Sequence, residues 1–166
     1  MKFLLLSLII TLASCTKNSK KKKQIQPKSD NIQNSISNQV EIKAIKTVLI
    51  KQQECWNNGD LEGFMEGYWK SEKLIFTSLT HQPAYGWKNT LTRYKESYPD
   101  VSSMGEFRFE ILDVEISSST TANLYGKWEI IRMKDNPKGL FWLNLEKFNK
   151  KWLITKDSTI SYDEYF

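Results

Sequence analysis

Gly105-Glu106-Phe107-Arg108-Phe109-Glu110-Ile111 is the stretch where the chain changes its period. Phe107, Phe109 and Ile111 alternate with Glu106, Arg108 and Glu110, so an extended strand here has one apolar and one charged side. Three more β-rich runs follow, near 121 to 133, 139 to 148 and 151 to 158, with turns predicted at Asp135-Asn136-Pro137 and Asn149-Lys150. Before Gly105 the spacing is mainly helical. Ile42, Ile45, Val48, Leu49, Gln52 and Trp56 recur on one face of a helix that stops at Asn57-Asn58-Gly59. Asp60 caps a second, short helix carrying Leu61, Phe64 and Tyr68. Leu74-Ile75-Phe76-Thr77 reads as a strand, and a loop with His81 and Pro83 follows it. Trp87, Leu91, Tyr94 and Tyr98 mark a third helix, ended by Pro99. Helices first and long strands afterwards predict an α+β domain, with helices packed on one face of a curved antiparallel sheet.

Further upstream the composition changes twice. From Thr16 to about Asn38 it is rich in Lys, Ser, Asn and Gln, with Lys20 to Lys23 consecutive, which predicts a disordered tether. Ahead of it, Met1-Lys2 supplies a positive charge and Phe3 to Ala13 an apolar run of eleven residues broken only by Ser7 and Thr11. A membrane-spanning helix needs roughly 20 such residues, so the run reads as a signal peptide. It ends in Leu12-Ala13-Ser14-Cys15, which resembles the bacterial lipobox, in which the cysteine is acylated and becomes the mature N-terminus. The division expected is a signal peptide over 1–14, a lipidated cysteine and tether over 15–38, and one folded domain over 39–166. Acyl chains contribute about 0.8 kcal/mol per buried methylene, so Cys15 would hold the protein on a lipid bilayer in the bacterial cell envelope.

Charge is divided the same way. The chain carries +5 at neutral pH, but the tether holds six Lys and one Asp, whereas residues 39–166 hold 17 basic and 18 acidic residues. The basicity therefore belongs to the stem and suits anionic headgroups; no nucleic-acid partner is indicated for a near-neutral domain. Acylation of Cys15 leaves Cys55 without an intramolecular partner, and beside Trp56 it reads as a small buried residue.

Cys55-Trp56-Asn57-Asn58-Gly59-Asp60-Leu61-Glu62-Gly63-Phe64, then Gly86-Trp87, Arg93-Tyr94, Tyr98-Pro99, Gly126-Lys127-Trp128, Trp152-Leu153-Ile154 and Asp157-Ser158-Thr159 resemble the nuclear transport factor 2-like superfamily, most of all its SnoaL-like branch of bacterial domains of unknown function. The resemblance covers almost all of 39–166. It implies a cone-shaped, cystatin-like α+β fold whose sheet wraps the N-terminal helices and leaves an apolar pocket at its open end. The fold hosts isomerases, hydrolases, cyclases, binding domains and dimerisation modules, so function must be read from residues. Where the resemblance puts the steroid isomerases' base and tyrosine, this chain has Phe76 and Gln52, and their second donor falls approximately at Asn144. That chemistry is not matched. Relatives with an Asp-His-Thr-Ser-type ending have a histidine where Ser158 stands here. The sole histidine, His81, has no ligand-spaced partner, so neither a metal nor a cofactor is expected.

The expected pocket consists of Gln52, Trp56, Phe76, Trp87, Tyr94 and Trp128, with Trp142 and Asn144 on one strand face and Asp157 at the rim. Each of these aromatic residues is also a candidate for the core, the commoner place for such a ring, and Asp157 for a surface carboxylate, the commoner place for an Asp. Three functional readings remain open: non-catalytic binding of a small, largely apolar molecule; an enzyme using Asp157 or Glu129 with a tyrosine; and an interaction module whose outer sheet face forms a homodimer or docks an envelope partner. A buried carboxylate of raised pKa in a pocket favours the enzyme. A filled cone with an apolar outer sheet face favours the module.

Overall fold

The computed structural model describes residues 28–79 and 81–162, with side chains from residue 35. The expected signal peptide, Cys15 and the tether up to residue 27 lie outside the described residues. Helix α1, Lys28–Asn57, begins eleven residues before the expected domain start, so the end of the predicted tether is helical. Residues 35–40 are all exposed, which is why no apolar periodicity announces this part of the helix. Packing begins further along, where Ile45, Leu49, Gln52 and Trp56 are buried on one face. The helix ends in a turn at Gly59, whose φ of +76° an L side chain rarely adopts. Asp60 then caps α2, Leu61–Met65, by accepting from the Gly63 amide at 2.8 Å.

Short strands β1, Ile75–Thr77, and β2, Ala84–Tyr85, precede α3, Trp87–Ser97. A one-turn helix, α4, Val101–Met104, carries a capping box between Asp100 and Ser103. Neither β2 nor α4 is long enough to show a period in the sequence. Four strands of eleven residues each complete the chain: β3, Glu106–Ile116; β4, Thr121–Ile131; β5, Lys138–Phe148; and β6, Lys151–Ser161. The β5–β6 hairpin turns at Asn149 and Lys150, both with positive φ, as a two-residue hairpin of matching twist requires. The sheet order is β2-β1-β6-β5-β4-β3. All its pairs are antiparallel except β1 with β6, so the expected antiparallel sheet contains one parallel pair.

Two bulges set which side chains face the helices. Leu112 is the extra residue in β3 and Thr155 in β6, and each reverses the inward parity of its strand. Trp152 and Ile154 point inward before the second bulge, and Asp157 after it. Helix α1 is fastened across this inner face at its middle and near its C-terminal end. Trp152 Nε1 donates to Glu41 at 2.7 Å midway along the helix; near its C-terminal end, Trp56 Nε1 donates to the Met104 carbonyl at 3.1 Å and Gln53 to the Phe107 carbonyl at 2.9 Å. Gly126 in β4 is required by close approach: a Cβ there would stand 2.4 Å from the Phe141 ring and 2.6 Å from the Glu110 carbonyl.

Candidate functional site

Between α1, α3 and the inner sheet face lies a cavity of about 220 Å³. Its walls are aromatic. Trp56 packs edge-on against Phe64 and Tyr98 with ring centres 5.1 and 4.7 Å away, and Tyr94 bridges to Phe76 at 5.6 Å. Phe107, Trp128, Phe141 and Leu143 close the sheet side. At the open end sit the exposed His81 and Ser97, with the half-buried Ser78 and Arg93.

The buried polar group among these rings is built from three elements. The segment after α2 pairs with β6, because the Trp69 amide donates to the Ile154 carbonyl and the Ile154 amide to the Gly67 carbonyl, both at 2.9 Å. That places Tyr68 near the inward turn of β6, and its hydroxyl donates to Asp157 Oδ2 at 2.7 Å. Tyr94, from α3, brings its hydroxyl to 3.5 Å from that of Tyr68. Asp157 is only 6% exposed, and its Oδ1 has no hydrogen-bond partner among the described residues. Burial raises its pKa to about 7, against the lowering effect of the Tyr68 hydrogen bond. Burial, and then the nearby Asp157 charge, push both tyrosine hydroxyls well above the usual phenol range. The pair can therefore donate but not ionise near neutrality, and Asp157 is the group there that changes charge.

Six of the nine expected pocket residues meet here: Gln52, Trp56, Phe76, Tyr94, Trp128 and Asp157. Gln52 is partly accounted for, since its amide donates to the Phe64 carbonyl at 3.1 Å and ties α1 to α2. The other three are corrections. Trp87 does not line the cavity; its indole donates to the Met65 carbonyl at 2.9 Å and Lys70 stands over its ring, joining α2 to α3. Trp142 and Asn144 do share a strand face, but it is the outer one: Trp142 is 44% exposed and stacks on Tyr125, while Asn144 donates to Asn123 at 2.7 Å. Phe141 and Leu143 take the inward places. Polar Asn144 and Glu146 alternating with Leu143 and Leu145 are the sequence signal for that parity. Asp157 belongs to the buried interior, not to the surface. Sequence reasoning does not bring Tyr68 or Arg93 to the pocket, and no local pattern marks Tyr68, whose partner is 89 residues away. Cys55 is half-buried, and burial, with Asp60 nearby, pushes its thiol pKa up. Among the described residues no three His, Cys, Asp or Glu side chains converge on a point where a metal ion could bind.

A curved six-stranded sheet closed over a long helix, with an aromatic cavity at its open end, defines the class of cone-shaped α+β domains. Comparison with solved structures narrows this. A nuclear transport factor 2-like protein of unknown function from Shewanella oneidensis is 39% identical, with a TM-score of 0.70 over 72% of this chain and 98% of that one. The chain belongs to the nuclear transport factor 2-like family. More distant structures share the fold: a ketosteroid isomerase-like protein from Erwinia carotovora (15% identity, TM-score 0.61, 74% of this chain and 96% of that one) and a putative scytalone dehydratase from Novosphingobium aromaticivorans (13%, 0.61, 76% and 87%). No protein-family model matches the chain, and no curated protein does.

Proposed function

We propose that this is a membrane-tethered envelope lipoprotein, held by acylated Cys15, whose cone binds a small, largely apolar molecule through one polar group. The observation that carries the binding reading is Asp157 Oδ1, buried without a partner among the described residues in the wall of an aromatic cavity. Leaving such an oxygen unsatisfied costs about 1–3 kcal/mol, which a ligand donor or acceptor offsets. Because Tyr68 already donates to Oδ2, a proton on Asp157 sits at Oδ1. The site then donates to a carbonyl when neutral and accepts from a hydroxyl when ionised. Native mass spectrometry of the full chain isolated from its own host is the test. The expected result is a retained small molecule that Asp157→Leu loses; an empty parent protein that also binds none of a library of small apolar alcohols, ketones and acids would refute the reading. Lipidation is checked separately by metabolic labelling with a fatty-acid analogue, which should disappear in Cys15→Ser.

One observation favours a second reading, a SnoaL-like enzyme of the isomerase, hydrolase or cyclase type. A carboxyl group whose pKa lies at about 7 can both take and return a proton at neutral pH, and the Tyr94 hydroxyl stands 3.5 Å from that of Tyr68, which is bonded to it. Glu129, the other carboxylate considered, is on the outward parity of β4 and does not line the cavity. Deuterium exchange into the bound molecule in D2O separates the two readings. Proton abstraction from carbon predicts exchange that rises with a midpoint near pH 7 and vanishes in Asp157→Asn, and pure binding predicts none.

A further inference from the structure

The cavity wall also holds a cation that no carboxylate of the described residues answers. The chain has three arginines, of which Arg108 pairs with Glu106 and Arg132 with Asp135, whereas Arg93 pairs with no carboxylate among the described residues. Its guanidinium is nevertheless held in place. Nη1 donates to the Gln82 carbonyl at 2.9 Å, Nη2 to the Ser78 hydroxyl at 3.3 Å, and Cζ stands 5.2 Å from the centre of the Phe76 ring. All three contacts are with neutral groups, so they orient the charge without neutralising it. Phe76 is also the strand neighbour of Asp157 in the β1–β6 pair. One aromatic ring thus connects a half-buried cation near the mouth with a buried carboxyl group further in.

We propose that Arg93 receives a carboxylate, and that the ligand is a small amphipathic acid: carboxylate at Arg93, apolar body against Phe76 and its neighbours, and a polar group at Asp157. This rests on the ligand-binding reading above and deepens it. A planar carboxylate matches the guanidinium fork, which still has N–H donors beyond the two used by Gln82 and Ser78. The opposite orientation would bring two carboxyl groups together at Asp157, where burial already disfavours one charge. At about 220 Å³ the cavity is smaller than the roughly 300–1,000 Å³ of common ligand sites, so a single ring or a short chain fits better than a fused-ring skeleton.

The test uses the full chain and a set of single-ring and short-chain carboxylic acids, including 3-phenylpropanoate, each paired with its methyl ester. Binding is measured by ligand-observed NMR and calorimetry. The acids should bind at least about tenfold more tightly than their esters. Arg93→Gln should bring the acids down to about the esters' level, and Arg93→Lys should restore part of the preference. Equal binding of acids and esters to the parent protein would overturn the carboxylate assignment while leaving the binding reading intact. An acid preference that survives Arg93→Gln would overturn the role of Arg93. Binding of neither class would overturn this proposal together with the reading it rests on.

Discussion

The two faces of β5 and β6 are made from the same twenty-two residues and have opposite chemistry. On the inner face Phe141, Leu143 and Asp157 are buried, and the carboxyl group is pushed to a pKa of about 7. On the outer face Trp142 is exposed against Tyr125, and Asn144 finds Asn123 in a solvated pair. Residue type does not separate the faces: an aromatic ring and a polar side chain stand on each. Environment does. The inner carboxyl is the only one of the polar groups just named that burial compels to choose between a proton, a partner and a ligand. The outer face carries an exposed Trp142 stacked on a half-buried Tyr125, which keeps a homodimer through that face a proposal; the cone, holding a cavity, is not the filled one that an interaction module predicts.

The largest effect should come from Asp157→Lys, which puts an ammonium at the inward position that follows the Thr155 bulge. Burying an unpaired ammonium costs on the order of 3–5 kcal/mol, and the cavity loses its carboxyl as well. Urea denaturation should show a loss of that size or outright unfolding. Retained stability would mean that position 157 does not face the interior.

A smaller contrast is expected between neighbours on β5. Phe141→Ala should destabilise by about 3–4 kcal/mol, because the ring is buried and its removal leaves a void beside Gly126. Trp142→Ala should cost less than about 1 kcal/mol, having an exposed ring. Equal losses would place an unseen contact on the outer face.

The pH dependence of stability probes Asp157 itself. Its pKa in the folded state lies above its value in an unfolded chain, so folding favours the protonated form. That contribution is complete below about pH 4 and is lost as pH rises through about 7, a decline of roughly 2–4 kcal/mol. Asp157→Asn should abolish the decline and be the more stable protein at pH 8. A decline that persists in the variant would assign it to other groups.

The smallest change is predicted for Asn144→Leu, which tests the outer polar pair. It should alter stability by less than about 1 kcal/mol, since Asn123 can turn to water. It should also leave ligand retention unaltered, because Asn144 does not line the cavity.

Periodicity and turn chemistry determined much of this molecule in the sequence alone. The switch at Gly105 from helical spacing to alternation, the stop at Gly59, the cap at Asp60 and the Asn149-Lys150 turn all lie in local residues, and each is found where local geometry demands it. So are the inward aromatics Trp56, Tyr94 and Phe76, which ride on elements whose faces the period defines. The start of α1 was less legible, because its exposed first turns contain no buried stripe. What only the tertiary structure decided was where the inward parity of β3 and β6 reverses and the meeting of Tyr68, Tyr94 and Asp157. A strand's side chains alternate by local geometry, but which set faces inward depends on register, and one bulged residue reverses it. That register is held by hydrogen bonds to other strands, and the Tyr68–Asp157 contact joins residues 89 positions apart, so no window of sequence around either residue contains the information.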